Sequence, residues 1–229
     1  MAQYRFVWPQ VTKTVIGVAI AMFLGWFIPT IVEPVKVFSA DYLWLTTDNL
    51  AGDYGVWTLL TYALFHENFV AAFFSAVGFW LFGTELQRQW GNTKFWVVQA
   101  LAVVLGGVFA VITLSVLGME MPILGYHAAF IALLTAYCRN YWEQELSLII
   151  VQLRGKTMLA IFLGLNVILA GVSGAYHAIA LDLAGFVVGY FAGRGPGYTF
   201  RELRTRFNRW KARRHLKVVR KTPDGEWLN

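Results

Sequence analysis

A chain of 229 residues that is 58% hydrophobic and only 14% charged is not an ordinary soluble domain, whose charged share is about a quarter. The apolar excess is gathered in long runs, which marks one polytopic membrane domain followed by a tail. Cys138 is the only cysteine, so an internal disulfide is excluded, and the formal charge of +6 means little until its distribution is read.

In chain order, residues 11–32 read as a first span, interrupted only by Lys13 and closed by Pro29 and Pro34. The run is long enough to cross a bilayer and lacks a small-residue cleavage site, so an uncleaved anchor is expected. Residues 35–55, with Asp41, Asp48, Asp53, Trp44 and Tyr54, suit a mixed loop in the membrane interface. A second span lies within 57–86; residues 57–66 form a separate short element, and the spanning helix starts near Asn68, capped by Glu67 and Asn68. After a break at 85–94 containing Gly91 and Asn92, a third span covers 95–117, and a fourth covers 124–138. The fifth and sixth are expected at 157–170 and 178–192. The fold class is therefore an all-α polytopic membrane protein with six transmembrane helices over residues 1–193 and a basic tail over 194–229.

Six spans leave both ends on one side. Of the 19 Lys and Arg, only Lys36 falls in a loop on the other side, so the positive-inside rule places both termini in the cytoplasm. In the tail, a Gly-Arg-Gly-Pro-Gly hinge precedes an arginine-rich stretch with Phe200, Leu203, Phe207, Trp210 and Leu216 at helical spacing; residues 221–229 read as disordered. Such a helix lies on anionic lipid, each basic residue contributing about 1 kcal/mol near the surface. Nucleic acid would want the same charge, but a tethered tail meets lipid first, so no nucleic-acid partner is expected.

Chemistry points to two spans. Pro122-Ile123-Leu124-Gly125-Tyr126-His127-Ala128-Ala129 opens the fourth with a glycine and places His127 about one turn in. The sixth carries Asp182 in Leu181-Asp182-Leu183-Ala184-Gly185. Ionisable groups at such depth are costly and face a protein interior or a wet cavity. Gly185 and Gly189, with Ala184 and Ala192 nearby, make a small face that lets helices approach closely, and Gly125, Ala128 and Ala129 offer its match.

Several short motifs carry a likeness. Gly55-Val56-Trp57-Thr58 leading to Phe65-His66, Leu81-Phe82-Gly83, Gly91-Asn92, Leu124-Gly125-Tyr126-His127-Ala128 and Asp182-Leu183-Ala184-Gly185 with Gly189 stand in the order and spacing of a known set. From about residue 54 to 193 the chain resembles the rhomboid family of intramembrane serine proteases. That resemblance implies a six-helix bundle in which a serine of the fourth helix attacks a peptide carbonyl and a histidine of the sixth takes its proton. Those positions are here His127 and Asp182. The oxyanion-donor positions of the second helix align with Ala71 and Ser75, and losing one such donor costs ~10²–10³ in rate. Thr58 replaces the arginine that follows Trp57, and Ala128 replaces the second glycine of the serine motif. His66 matches a family position and is expected to fix its loop by donating a hydrogen bond. The resemblance thus implies a pseudoprotease of the bacterial inner membrane, without a cofactor, that binds transmembrane segments of client proteins.

The residues leave other readings open. His127 and Asp182 can be a hydrogen-bonded structural pair, since buried polar groups are normally partnered. Alternatively, His127 oriented by Asp182 can act as general base for a water in a rebuilt hydrolase site. A metal held by His127, Asp182 and His177 is a variant of that reading, although His177 and Asp182 are five residues apart on one helix, a poor ligand spacing. A structural, lipid-organising protein is a third option. The literal Gly171-Val172-Ser173-Gly174-Ala175 string falls in an outer loop with no histidine-bearing span after it, so Ser173 is set aside as a nucleophile. His177 is expected to face water at the helix entrance.

Overall fold

The computed structural model describes residues 12–52, 55–148 and 151–193, all within the unit Met1–Arg194. The expected lipid-binding tail with its disordered end lies outside the described residues, as do Asp53 and Tyr54.

Helix α1, Lys13–Ile31, starts at Thr12, whose hydroxyl accepts from the Val15 amide at 3.3 Å. Pro29 does not close it: the helix runs through Pro29 to Ile31, because a proline near the end removes one backbone bond without preventing the next turn. Pro34 instead sits in the first turn of α2, Glu33–Tyr42, where a missing N–H is harmless. The expected mixed loop is thus mostly helical, as α2 is followed by α3, Thr47–Ala51, capped by the Thr46 hydroxyl on the Asn49 amide at 3.0 Å. Both start signals, a Glu-Pro pair and a Thr cap, were in the sequence but were outweighed by the mixed polarity around them.

Helix α4, Gly55–Thr61, continues as a single tight turn over Tyr62–Leu64. Helix α5, Phe69–Gly78, begins after Asn68, whose Oδ1 accepts from the Ala71 amide at 2.9 Å. The separation into a short element and a spanning helix is as expected. A π-type turn over Phe79–Gly83 joins α5 to α6, Thr84–Trp90, giving one continuous rod. The expected break at 85–94 shrinks to Gly91, whose φ of +75° only glycine takes easily. Helix α7 follows over Asn92–Leu117.

Helix α8 spans His127–Asn140, α9 Gly155–Ser173 and α10 Tyr176–Ala192. Between α8 and α9, strands β1, Glu145–Leu148, and β2, Val151–Arg154, pair antiparallel with Glu145 opposite Arg154. Among the described residues this small ladder is the one sheet in an otherwise all-α polytopic membrane fold. Four elements among the described residues are long and apolar enough to cross a membrane: α1, the rod 69–90, α7 and α9. Helices α8 and α10 are shorter, at 14 and 17 residues, and supply much of the interior. From Ala128 to Ala136 nearly every α8 residue is buried, as a helix that is apolar all round must be when enclosed by others.

Small residues set how the inner helices meet. A Cβ on Gly185 would lie 2.3 Å from the Ala128 carbonyl oxygen, and one on Gly189 would lie 2.3 Å from that of Ala132. One on Gly193 would come within 2.9 Å of the Ala136 Cα. Both series climb by one helical turn in the same direction, so α8 and α10 run parallel with their backbones in contact. Gly106 of α7 meets the Ala128 methyl from the other side.

Candidate functional site

The start of α8 is pinned by backbone. The Ile123 amide donates to the Leu45 carbonyl at 2.8 Å, and the Gly125 amide donates to the Tyr62 carbonyl at 3.1 Å. Gly125 then adopts a φ of +104°, a conformation a side chain would strain and a helix cannot include. His127 is consequently the first residue of α8 rather than one turn inside it. Tyr126 is buried just before it, its hydroxyl donating to Gln99 Oε1 of α7.

Asp182 lies one turn ahead of Gly185 on α10. Because Gly185 rests on the Ala128 backbone, the parallel register carries Asp182 to His127, and Nε2 and Oδ1 stand 2.6 Å apart. The two atoms are buried and close without the alignment of a directed hydrogen bond. The Asp182 side chain is 6% exposed and that of His127 is 35%, so the carboxylate sits behind an imidazole that looks outward.

What His127 looks into is a cavity of about 670 Å³, whose walls also include His66, Ala71, Ser75, Asn166 and His177. Ala71 and Ser75, four residues apart on α5, share the face that borders it. His66 is buried beside Gly125, 4.0 Å from where a Cβ would stand. Burial pushes its imidazole down to about 4, the Leu64 carbonyl opposing the shift, so it is neutral near pH 7. His66 interacts with the Leu64 backbone carbonyl, as a loop-fixing donor would, although neither ring nitrogen meets the alignment of a directed hydrogen bond, and the ring packs beside Gly125. Trp57 lies away from the cavity and ties α4 to α2, its indole N–H donating to the Tyr42 carbonyl at 2.9 Å.

His177 lines the cavity, half-buried, in the first turn of α10, which starts two residues earlier than expected. Ser173 is the last residue of α9, not a loop residue, and its hydroxyl is turned back onto the Leu169 carbonyl at 2.8 Å. It takes no part in the cavity. Among the described residues no group of three or more His, Cys, Asp or Glu stands close enough to hold a metal ion, so His127, Asp182 and His177 do not assemble as a ligand set. Asn166 was missed in the sequence. Its signal was there, an amide set among Leu165, Val167 and Ile168 in an apolar helix.

A family model described as the Rhomboid domain matches residues 53–198. The chain belongs to the rhomboid family. No match was found among curated proteins. The matched stretch takes in α4 to α10 and leaves α1, α2 and α3 before it.

In this rhomboid chain the positions that the resemblance assigns to the nucleophile, its base and the two oxyanion donors converge on one place: His127 backed by Asp182, with Ala71 and Ser75 on the same cavity. Chemically the set is an imidazole, a buried carboxylate, one hydroxyl and a methyl group. No hydrogen bond joins Ser75 to His127 among the described residues, and Ala71 has no side-chain donor for a developing oxyanion. The arrangement can hold an imidazole in a fixed orientation and bury a mostly apolar ligand.

Proposed function

We propose that this membrane protein is a rhomboid-like pseudoprotease that binds transmembrane segments of client proteins without cleaving them. The observation that carries the reading is the 2.6 Å His127–Asp182 contact at the positions where the family resemblance places serine and histidine. Serine and base act as a unit, so replacing both removes the acyl-transfer route. The helix packing that frames the pair is retained, with Gly185 and Gly189 still seated on α8. A bacterial inner membrane is the proposed location, with cytoplasmic termini, on the strength of the basic residues that crowd one side of the spans. The basic tail is proposed to bind anionic lipid.

The test is a fluorophosphonate serine-hydrolase probe, run beside cleavage of a generic transmembrane substrate in detergent. The native protein should neither label nor cleave, whereas His127→Ser/Asp182→His should gain labelling. Labelling of the native protein defeats the proposal.

The same contact favours one rival, a hydrolase in which Asp182 orients His127 as general base for a water beside the cavity. Cleavage by the native protein that resists fluorophosphonate and vanishes in Asp182→Asn selects that rival.

A further inference from the structure

The cavity has a direction. Gly78 of α5 is seated against Phe130 of α8, and Gly83 approaches Leu133, so α5 runs parallel to α8 as α10 does. Helices α5, α8 and α10 therefore all begin at one end of the bundle, and α9 ends there, joined to α10 by a two-residue turn. His66, Glu67, His127 and His177 form the mouth at that end. Below it, Ser75 and Asn166 interrupt walls that are otherwise apolar, and Val77, Leu81, Phe82, Phe130 and Phe162 close the floor.

Along α5 and the π-type turn after it the lining runs from Ala71 to Phe82, about 16 Å at ~1.5 Å per residue. One leaflet of a bilayer is about 15 Å deep, half of a ~30 Å hydrocarbon core. A slot one leaflet deep, with apolar walls below a polar mouth, matches the length and polarity of a single acyl chain. Its mouth also holds groups that want a partner. His66 is 6% exposed with neither ring nitrogen in an aligned hydrogen bond, and His177 Nδ1 is buried without a partner.

We propose that the cavity binds one acyl chain of a membrane glycerolipid, with its ester end at His66 and His177 and its tail running down beside α5 to Phe82 and Phe130. An ester carbonyl is an uncharged acceptor suited to an imidazole N–H, whereas the carboxylate of a free fatty acid would face Glu67 at the same mouth. The chain keeps the orientation it has in the bilayer, so binding costs little reorganisation. This inference stands without client binding; if clients do bind here, a client helix has to displace the lipid.

The test uses the full chain in nanodiscs of phosphatidylcholine with a diazirine half-way along one acyl chain, irradiated and mapped by peptide mass spectrometry. Adducts are expected on Leu81 and Phe130, which line the cavity, as well as on outward-facing Ile112 and Val116. Ala71→Trp, which fills the upper slot, should remove the cavity adducts and leave those on Ile112 unchanged. His66→Leu should lower them about fivefold, the worth of one hydrogen bond. Adducts confined to Ile112, Val116 and other outward residues overturn the proposal, as do cavity adducts that persist undiminished in both variants.

Discussion

Gly185→Ala is the most direct test of how the site is held. The added methyl would lie 2.3 Å from the Ala128 carbonyl oxygen and 3.0 Å from the Ile131 Cβ, with neither group at the end of a flexible side chain. The first distance is about 1 Å short of ordinary contact, so the two backbones must part by about that much. Alanine favours the helix over glycine by at most ~1 kcal/mol, while forcing a methyl into a packed interior costs about 1–3 kcal/mol. The expected result is a net destabilisation of up to about 2 kcal/mol, with His127 and Asp182 drawn apart. Gly164→Ala on α9 supplies the control, since a methyl there meets nothing within 4 Å and gains only the helix preference. Thermal unfolding in detergent, both variants against the native protein, reads the difference. If Gly185→Ala is as stable as Gly164→Ala, backbone contact between α8 and α10 does not position the pair.

Other substitutions address single features. Asp182→Ala strips the buried His127 Nε2 of its partner and should cost about 1–3 kcal/mol in the same melts, with Asp182→Asn milder; two variants of native stability would show that the pair does not support the fold. Asn68→Ala removes the cap on the Ala71 amide and should cost about 1 kcal/mol, seen as faster amide exchange in the first turn of α5, while unchanged exchange would discount the cap. For His66, burial lowers the folded value from 6.5 to about 4, so the unfolded chain takes up the proton first as the pH falls. The stability it confers is complete above pH 6.5 and is lost between 6.5 and 4, by about 3 kcal/mol in all. The native protein should therefore lose stability over that window relative to His66→Leu; parallel pH profiles would refute the burial argument.

Much of the fold was legible because hydropathy is a local property. The spans at α5, α7, α9 and α10 were each placed to within a few residues, and Asn68 marked the start of α5 with a side chain suited to cap it. Less was legible where an element depends on something distant. Helix α8 starts at His127 because Leu45 and Tyr62 hold the backbone before it, partners that no window around residue 125 contains. The interfacial stretch hid two short helices in mixed polarity, and the β1–β2 ladder had no turn signal strong enough to announce it.

The sequence by itself determined that the chain is a bundle of apolar helices, that its motifs resemble those of rhomboids, and that the reactive positions carry His127 and Asp182. Composition and order are enough for that, because the cost of placing charge in lipid acts on each segment separately. Only the tertiary structure decided that these two side chains meet at 2.6 Å and that Ser173 is turned away. It also decided that His66, Asn166 and His177 border one cavity. Those outcomes rest on the parallel register of α8 and α10, which Gly185 and Gly189 fix by letting two backbones touch, and steric contact between helices exists only once both are in place.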